Sequence, residues 1–178
     1  MSINPFAAAA QQMLLGAAVR QNHALEHATI VLLAKKYPDV RLSGISSALG
    51  FFVFGEVPVE VVLPTAQEAL HLLRTTQPEL AVHERCGTNL AVAGMLSGLS
   101  ALAVGRLRRP YSTANNAILA STAALVLARP LGLMVQRYVT TQTPNETMRI
   151  ERVIPMQIFG VPAYFVKTDN PQANRLFG

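Results

Sequence analysis

The sequence predicts a mixed α+β protein that carries a hydrophobic helical hairpin, and three observations lead to this class. Good helix formers fill the first part of the chain, stretches rich in Val and Phe and punctuated by Gly occur twice, and two long uncharged runs lie between those stretches. A length of 178 residues suits one domain. We therefore predict a single domain over residues 1–178, with the hydrophobic hairpin inserted at about residues 88–136.

The first predicted element is a long N-terminal helix. Ala, Leu, Gln, Met, Arg and Lys dominate residues 5–36, and the run stops at Tyr37-Pro38. His23, Glu26 and His27 form an H-x-x-E-H pattern within it and share helical spacing with apolar neighbours. The pattern should therefore face the protein interior.

Two β-hairpins are predicted on either side of the uncharged runs. Residues 40–63 are rich in Val, Phe, Gly and Ser and end in the strand-like VPVEVVL, and residues 148–168 alternate again. A helix should open at Pro64-Thr65, where Glu68 completes a capping box. The two hairpins can pair into one small sheet.

The two uncharged runs, residues 87–105 and 110–128, are each about as long as a bilayer span. Small residues recur four apart in both, a pattern typical of helices that pack closely in lipid. They are Gly94, Gly98, Ala120, Ala124 and Ala128. The alternative is a soluble hairpin buried in a protein core, which would also need small residues and no charge.

Composition favours a lipid bilayer as partner. Charged residues make up 14% of the chain, well below the usual quarter, while the formal net charge is +5. Arg106, Arg108 and Arg109 border the uncharged runs, Trp is absent, and no basic face is interleaved with aromatics, so we expect no nucleic-acid partner. If the hairpin spans a bacterial inner membrane, the basic turn at residues 106–109 should be cytoplasmic. Other membrane proteins are a second class of expected partner.

The H-x-x-E-H pattern predicts half of a metal site. His23 and His27 lie one helical turn apart and can offer two nitrogens to one zinc ion, and the carboxylate of Glu26 lies between them in sequence, as in the zinc hydrolases whose motif is named below, where it would be the general base. Further ligands are expected from His83 and Cys86, which stand three apart. If both bind, the zinc has four protein ligands and the site is closed and structural. If only one binds, one coordination position stays open for catalysis.

A simpler interpretation of the same residues stays open. A buried histidine pair can merely hydrogen-bond to core carbonyls, with Glu26 neutralising one imidazole. Cys86, the single cysteine, can be a small buried hydrophobe, and one cysteine excludes an internal disulfide.

The pattern His23-Ala24-Leu25-Glu26-His27 resembles the motif of the inverted zincins, a class of zinc peptidases. That resemblance covers five residues. It implies zinc, two histidine ligands, a glutamate base and a third ligand from a downstream glutamate. The candidates for that ligand are Glu56, Glu60, Glu68 and Glu84.

Longer motifs carry a broader resemblance. They are NHALEHATI, LSGISSALGFFVFGEV, ELAVHERCGTNL and TTQTP. Together they resemble an uncharacterised domain-of-unknown-function family of small bacterial membrane-associated proteins, known mainly from photosynthetic lineages. The resemblance covers most of the chain and implies a shared fold without an assigned activity.

Three hypotheses for function follow. The first is a membrane-associated metal-binding protein that uses H-x-x-E-H as a zinc-dependent hydrolase or peptidase. The second is a non-catalytic membrane module that binds a cofactor, such as a tetrapyrrole with a histidine axial ligand, or assists assembly of a membrane complex. The third is a soluble structural protein whose apolar helices form its core.

Overall fold

The computed structural model describes residues 16–106, 113–171 and 173 of the chain. The described residues form two compact units. The first lies within residues 1–82 and 139–178 and is called the sheet unit, and the second lies within residues 83–138 and is called the hairpin unit. The predicted α+β class is confirmed, because helices accompany an antiparallel four-stranded sheet.

Helix α1 spans Ala17–Lys36 and opens the described part of the sheet unit. It ends where the sequence predicted, at Tyr37, whose N–H donates to the Leu33 carbonyl at 2.8 Å. Lys35 and Lys36 occupy the last turn, where cations complement the helix dipole. The part of the predicted helix before Gly16 lies outside the described residues.

The sheet consists of two antiparallel hairpins, as predicted. Strands β1 (Ser43–Ser47) and β2 (Gly50–Phe54) form the first, and β3 (Arg149–Ile158) and β4 (Val161–Asp169) form the second. The order is β1-β2-β4-β3, so that β2 and β4 pair in the centre. The prediction that the two hairpins pair into one sheet is confirmed.

Helix α2 spans Val59–Thr75 and corrects one sequence expectation. The strand-like VPVEVVL does not form a strand, because Pro58 is the N-cap and the residues from Val59 onward are helical. The helix therefore begins before Pro64-Thr65, and Pro64 lies inside it. Burial of a helically spaced stripe outweighs the β propensity of the Val residues. The stripe consists of Val62, Ala66, Ala69, Leu70 and Leu73.

The core of the sheet unit lies between α1, α2 and one face of the sheet. Phe51 and Val53 of β2 and Val166 of β4 are fully buried there, as are Leu25 and Leu33 of α1. A 3₁₀ turn at Pro78–Ala81 follows α2 and adds Ala81 to this core. The inward face of α1 is therefore fixed by apolar packing.

The hairpin unit consists of two long helices, α3 (Gly87–Gly105) and α4 (Thr113–Val135), and a π-helical turn follows at Gln136–Thr140. Most of the predicted basic turn, residues 107–112, lies outside the described residues. The Ser121 hydroxyl donates to the Ser97 carbonyl at 3.1 Å across the contact between the helices, and Val92, Ala124 and Ala128 are buried. Large apolar side chains point outward: Leu90, Met95, Leu99, Leu102, Ile118, Leu119 and Val126.

Candidate metal centre

The two histidines of the H-x-x-E-H pattern meet on α1. The ring centroids of His23 and His27 are 4.3 Å apart, with 64° between the ring planes. One ring nitrogen of each lies within 4.8 Å of the other. His27 is buried and His23 is half-buried. The pairing expected from the one-turn spacing is therefore present.

Backbone carbonyls orient both rings. His23 Nδ1 lies 2.9 Å from the Thr140 carbonyl oxygen, and His27 Nδ1 lies 2.7 Å from the Ala81 carbonyl oxygen. A carbonyl only accepts, so each Nδ1 carries a proton, and whenever the ring is neutral the lone pair is on Nε2. These Nδ1 contacts are what the simpler interpretation expected. A metal-binding histidine usually has the same arrangement, with a backbone or carboxylate partner on the ring nitrogen that does not bind the metal.

Glu26 lies between the histidines in sequence and faces strand β1. The Ser46 hydroxyl donates to Glu26 Oε2. Gly44 makes room for the carboxylate, because a Cβ at that position would lie 2.5 Å from Glu26 Oε1. Burial raises the pKa of Glu26, while the Ser46 bond and the charge of His23 lower it. The carboxylate is therefore held in a dry, polar niche.

Sequence reasoning missed the residues that form this niche. Ser46 and Gly44 belong to the LSGISS stretch, which stood out only as part of a broader resemblance. A second missed group anchors α1 next to His23. The Asn22 side chain donates to the carbonyls of Ser47 and Ala48 at 2.8 and 3.1 Å and accepts the Thr168 hydroxyl at 2.9 Å. The backbone that carries His23 is thus bonded to the sheet.

The other two predicted ligands lie in the hairpin unit. Cys86 is the N-cap of α3, and its sulfur accepts the Thr88 N–H at 3.3 Å. The backbone N–H of His83 donates to Gln136 Oε1 at 2.9 Å. Burial, with a smaller contribution from the charge of Arg85, lowers the pKa of His83, although Glu84 opposes the shift. A lowered pKa favours the neutral imidazole that binds metals.

Gln136 is a further residue that the sequence did not single out. Its side chain is fully buried and donates to Asn89 Oδ1 at 2.6 Å while it accepts the His83 N–H. Asn89 in turn donates to the Glu84 carbonyl at 2.7 Å. This network fixes the turn that presents His83 and Cys86.

The glutamates that the zincin resemblance implied as third ligands are all exposed. Glu68 forms an ion pair with Lys36 at 2.8 Å, and Glu84 forms one with Arg129 at 2.7 Å. Glu56 and Glu60 lie on the surface of the sheet unit. Within the part of the chain that the structure describes, no carboxylate lies within ligand distance of both histidines.

Fold and site define an α+β protein with a half-buried and a buried histidine paired on one helix and with an exposed apolar hairpin. The chain belongs to the family described as Domain of unknown function (DUF6391), whose sequence profile matches residues 18–153. The predicted membership of a domain-of-unknown-function family is thereby confirmed. An uncharacterised protein of Picosynechococcus sp. is 33% identical over 160 residues, which cover 84% of this chain and 78% of that protein. No solved structure matches the chain.

Proposed function

We propose that this protein is a membrane-anchored metal-binding protein in which His23 and His27 bind a zinc ion through Nε2. The observation that carries the proposal is the pair of Nδ1 contacts to the carbonyls of Thr140 and Ala81. They set the same tautomer on two rings whose centroids are 4.3 Å apart. Zn–N bonds are about 2.0–2.1 Å long, so two nitrogens on one ion lie within about 4 Å of each other. One ring nitrogen of each histidine lies within 4.8 Å of the other, which is close to that spacing.

The third ligand is proposed to come from the segment that contains His83 and Cys86. The Ala81 carbonyl already contacts His27, and Cys86 follows a few residues later in the chain. Five residues span at most about 18 Å even when extended, so the segment is tethered within reach of the histidine pair. A thiolate and imidazoles together suit zinc. One ligand from this segment would leave a coordination position for water.

Hydrolysis is the finer part of the proposal, with Glu26 as general base. Zinc held by His23 and His27 would supply a Lewis acid that makes water acidic near neutral pH, and the Glu26 carboxylate would accept the proton. Glu26 is adjacent to His27 in sequence and interacts electrostatically with His23. Its buried niche raises the pKa, as suits a group that must accept and return a proton.

The hairpin unit is proposed to be the membrane anchor. Both helices are long and apolar enough to cross a bilayer, and only 6% and 17% of their apolar windows are buried. The apolar parts of the two helices, residues 90–105 and 113–128, are each about 16 residues long, which is roughly 24 Å of helix. This is short of a hydrocarbon core of about 30 Å, and the long side chains of Arg106 and Arg129 can extend to the headgroups. The outward-facing leucines would then contact lipid.

The orientation follows from charge. The turn with Arg106, Arg108 and Arg109 is the short loop, and short loops rich in Arg remain in the cytoplasm. Both open ends of the hairpin, and therefore the chain segments that carry the histidines, would lie on the opposite face of a bacterial inner membrane. Reporter fusions inserted in residues 107–112 and appended after Gly178 should report opposite sides. Reports from the same side would contradict a two-helix span.

Elemental analysis of the full-length protein in detergent tests metal binding. We expect about one zinc per chain, and we expect its loss in His23→Gln and His27→Gln. His71→Gln is the matched control, because His71 is exposed on α2 and should leave the metal content unchanged. Comparison of Cys86→Ser with His83→Gln identifies the third ligand. Protein without stoichiometric metal would overturn the proposal.

Glu26→Gln separates catalysis from binding. A hydrolase should retain zinc and lose turnover of test peptides and esters, whereas a binding module should be nearly indifferent. A visible absorption band would instead favour a tetrapyrrole with one histidine axial ligand. Ring centroids 4.3 Å apart leave no room for a macrocycle between the two imidazoles, which argues against both histidines serving that role.

A further inference from the structure

A cleft of about 390 Å³ opens on the surface of the sheet unit, between α2 and the segment that leads into β3. Pockets that hold small ligands have volumes of about 300 Å³ and more. The apolar part of this cleft is lined by Leu70, Met148 and Ile150, and the cationic side chains of Arg74 and Arg149 line it as well. The cleft therefore offers both apolar surface and positive charge to a small molecule.

The backbone holds the Arg74 guanidinium in place. Its Nη2 donates to the carbonyl oxygens of Asn145 and Met148, the latter at 2.6 Å. Its Nε is enclosed and therefore cannot contact a ligand. The remaining nitrogen, Nη1, is neither enclosed nor hydrogen-bonded within the described part of the chain. Because Arg74 lines the cleft, Nη1 is the group through which this fixed guanidinium can donate to a ligand there.

The charges that line the cleft do not cancel one another. Burial lowers the pKa of Arg74, Glu146 opposes this shift, and the charge of Arg149 adds to it. Arg149 and Glu146 are both exposed, and among the described residues neither takes part in an ion pair, although Asp169 lies opposite Arg149 on β4. Two guanidiniums thus share the cleft with one carboxylate. The excess of positive charge favours an anion.

We propose that this cleft binds a phosphate ester that carries an apolar group. Arg74 Nη1 and the Arg149 guanidinium donate to different oxygens of one phosphate, and the apolar group lies in the apolar part of the cleft. The tetrahedral oxygens of a phosphate can be shared by two separate guanidiniums, whereas a planar carboxylate matches the fork of one. Glu146 repels further negative charge, so a single phosphate is preferred to a polyphosphate. A soluble phosphate ester and a phospholipid headgroup both offer this chemistry.

Hexyl phosphate, titrated into the full-length protein in a non-ionic detergent, tests the proposal. NMR of the His71 ring reports binding, because His71 also lines the cleft, and the spectrum of His71→Gln identifies its signal. Arg149→Gln should weaken binding about tenfold through the loss of a charge-assisted hydrogen bond. Glu146→Gln should strengthen binding about twofold, because an exposed like charge is removed. Arg152→Gln is the matched control on β3, since Arg152 does not line the cleft, and it should leave the affinity unchanged.

Equal affinity of the wild type and Arg149→Gln for hexyl phosphate would overturn the proposal. Hexanol, which has the same apolar group without the phosphate, should not shift the His71 signal, and a shift as large as that caused by hexyl phosphate would also overturn it. Dihexanoylphosphatidic acid distinguishes the two sources. If its binding depends on Arg149 and is tighter than that of hexyl phosphate, the ligand is a lipid headgroup, whereas weaker binding assigns a soluble ester.

Discussion

The sheet unit and the hairpin unit place large apolar side chains in opposite positions. In the sheet unit Phe51 and Leu33 are fully buried, whereas in the hairpin unit Leu99 and Leu119 are exposed and Ala124 and Ala128 are buried. Water drives large apolar side chains inward, while lipid does not distinguish them from its own chains. Helices in lipid therefore associate through small residues. The contrast is the one expected if the hairpin unit is the proposed membrane anchor and the sheet unit folds in water.

Polar groups follow the same contrast. In the sheet unit the buried Asn22 side chain is bonded on both its nitrogen and its oxygen within the core. In the hairpin unit the bonds among Gln136, Asn89 and His83 lie at the open end, around the first turn of α3 and just after the end of α4. Backbone and side-chain polar groups in a hydrocarbon core must be satisfied internally, so a spanning hairpin gains from concentrating them outside it.

The largest expected difference in the free energy of unfolding comes from replacing one Leu by Ala in each unit. Leu33→Ala removes a fully buried side chain from the core and should lower the free energy of unfolding by about 2–5 kcal/mol. Leu99→Ala, at 64% exposure, creates no cavity and should leave the unfolding of the sheet unit unchanged. Urea unfolding in detergent, followed by circular dichroism, measures both. Equal losses would show that Leu99 is packed in a core, as a soluble hairpin requires.

A charged residue introduced into the hairpin unit tests directly whether lipid or water surrounds it. Leu119→Asp lies near the middle of the apolar part of α4 and should oppose membrane insertion by about 3 kcal/mol. Leu49→Asp is the matched control, because Leu49 is exposed in the β1–β2 turn, where Asp is well tolerated. The fraction of protein that resists alkaline carbonate extraction measures the difference. If Leu119→Asp remained as membrane-bound as wild type, Leu119 would not face lipid.

The sequence predicted those elements well whose form follows from the spacing of their own apolar and polar residues. The end of α1 at Tyr37, the pairing of both β-hairpins and the two uncharged helices all follow from local composition. The predicted strand after Val57 was wrong. Val favours strands in isolation, but burial against α1 and the sheet makes this segment helical. Tertiary contacts of this kind are absent from a local window.

The candidate site was predictable only in part. The helical spacing of His23 and His27 predicts that they meet, since both lie on one local element. The carbonyls that orient them are 117 and 54 positions away, and any residue type can supply a carbonyl.

A glycine-to-alanine change in each unit compares the crowded surroundings of Glu26 with the open surface of α3. Gly44→Ala would place a Cβ 2.5 Å from Glu26 Oε1, so the carboxylate or β1 must shift, at about 1–3 kcal/mol. Gly94→Ala is the same change on α3, where a Cβ meets no other atom within 4 Å, and it should be neutral or stabilising. Thermal unfolding and zinc content report the two effects. Unchanged values for Gly44→Ala would mean that Glu26 is not confined against β1.

The smallest expected effects concern two ion pairs of similar length. Lys36–Glu68 and Arg129–Glu84 are separated by 2.8 and 2.7 Å, and all four side chains are largely exposed. Each pair should contribute no more than about 1 kcal/mol, measured by double-mutant cycles with Gln at each position. The salt dependence of the coupling energy should differ between the two pairs. About 1 M NaCl screens charges in water far more than charges at a lipid boundary.

In vesicles, the Lys36–Glu68 coupling should therefore vanish at high salt while the Arg129–Glu84 coupling persists. The reason is the position of Arg129, which interrupts the apolar residues of α4 between Ala128 and Pro130 and would lie near the headgroups. If salt abolished both couplings alike, Arg129 would lie in bulk water. The membrane boundary would then fall before Ala128, and the span would be too short for two helices to cross without thinning the bilayer.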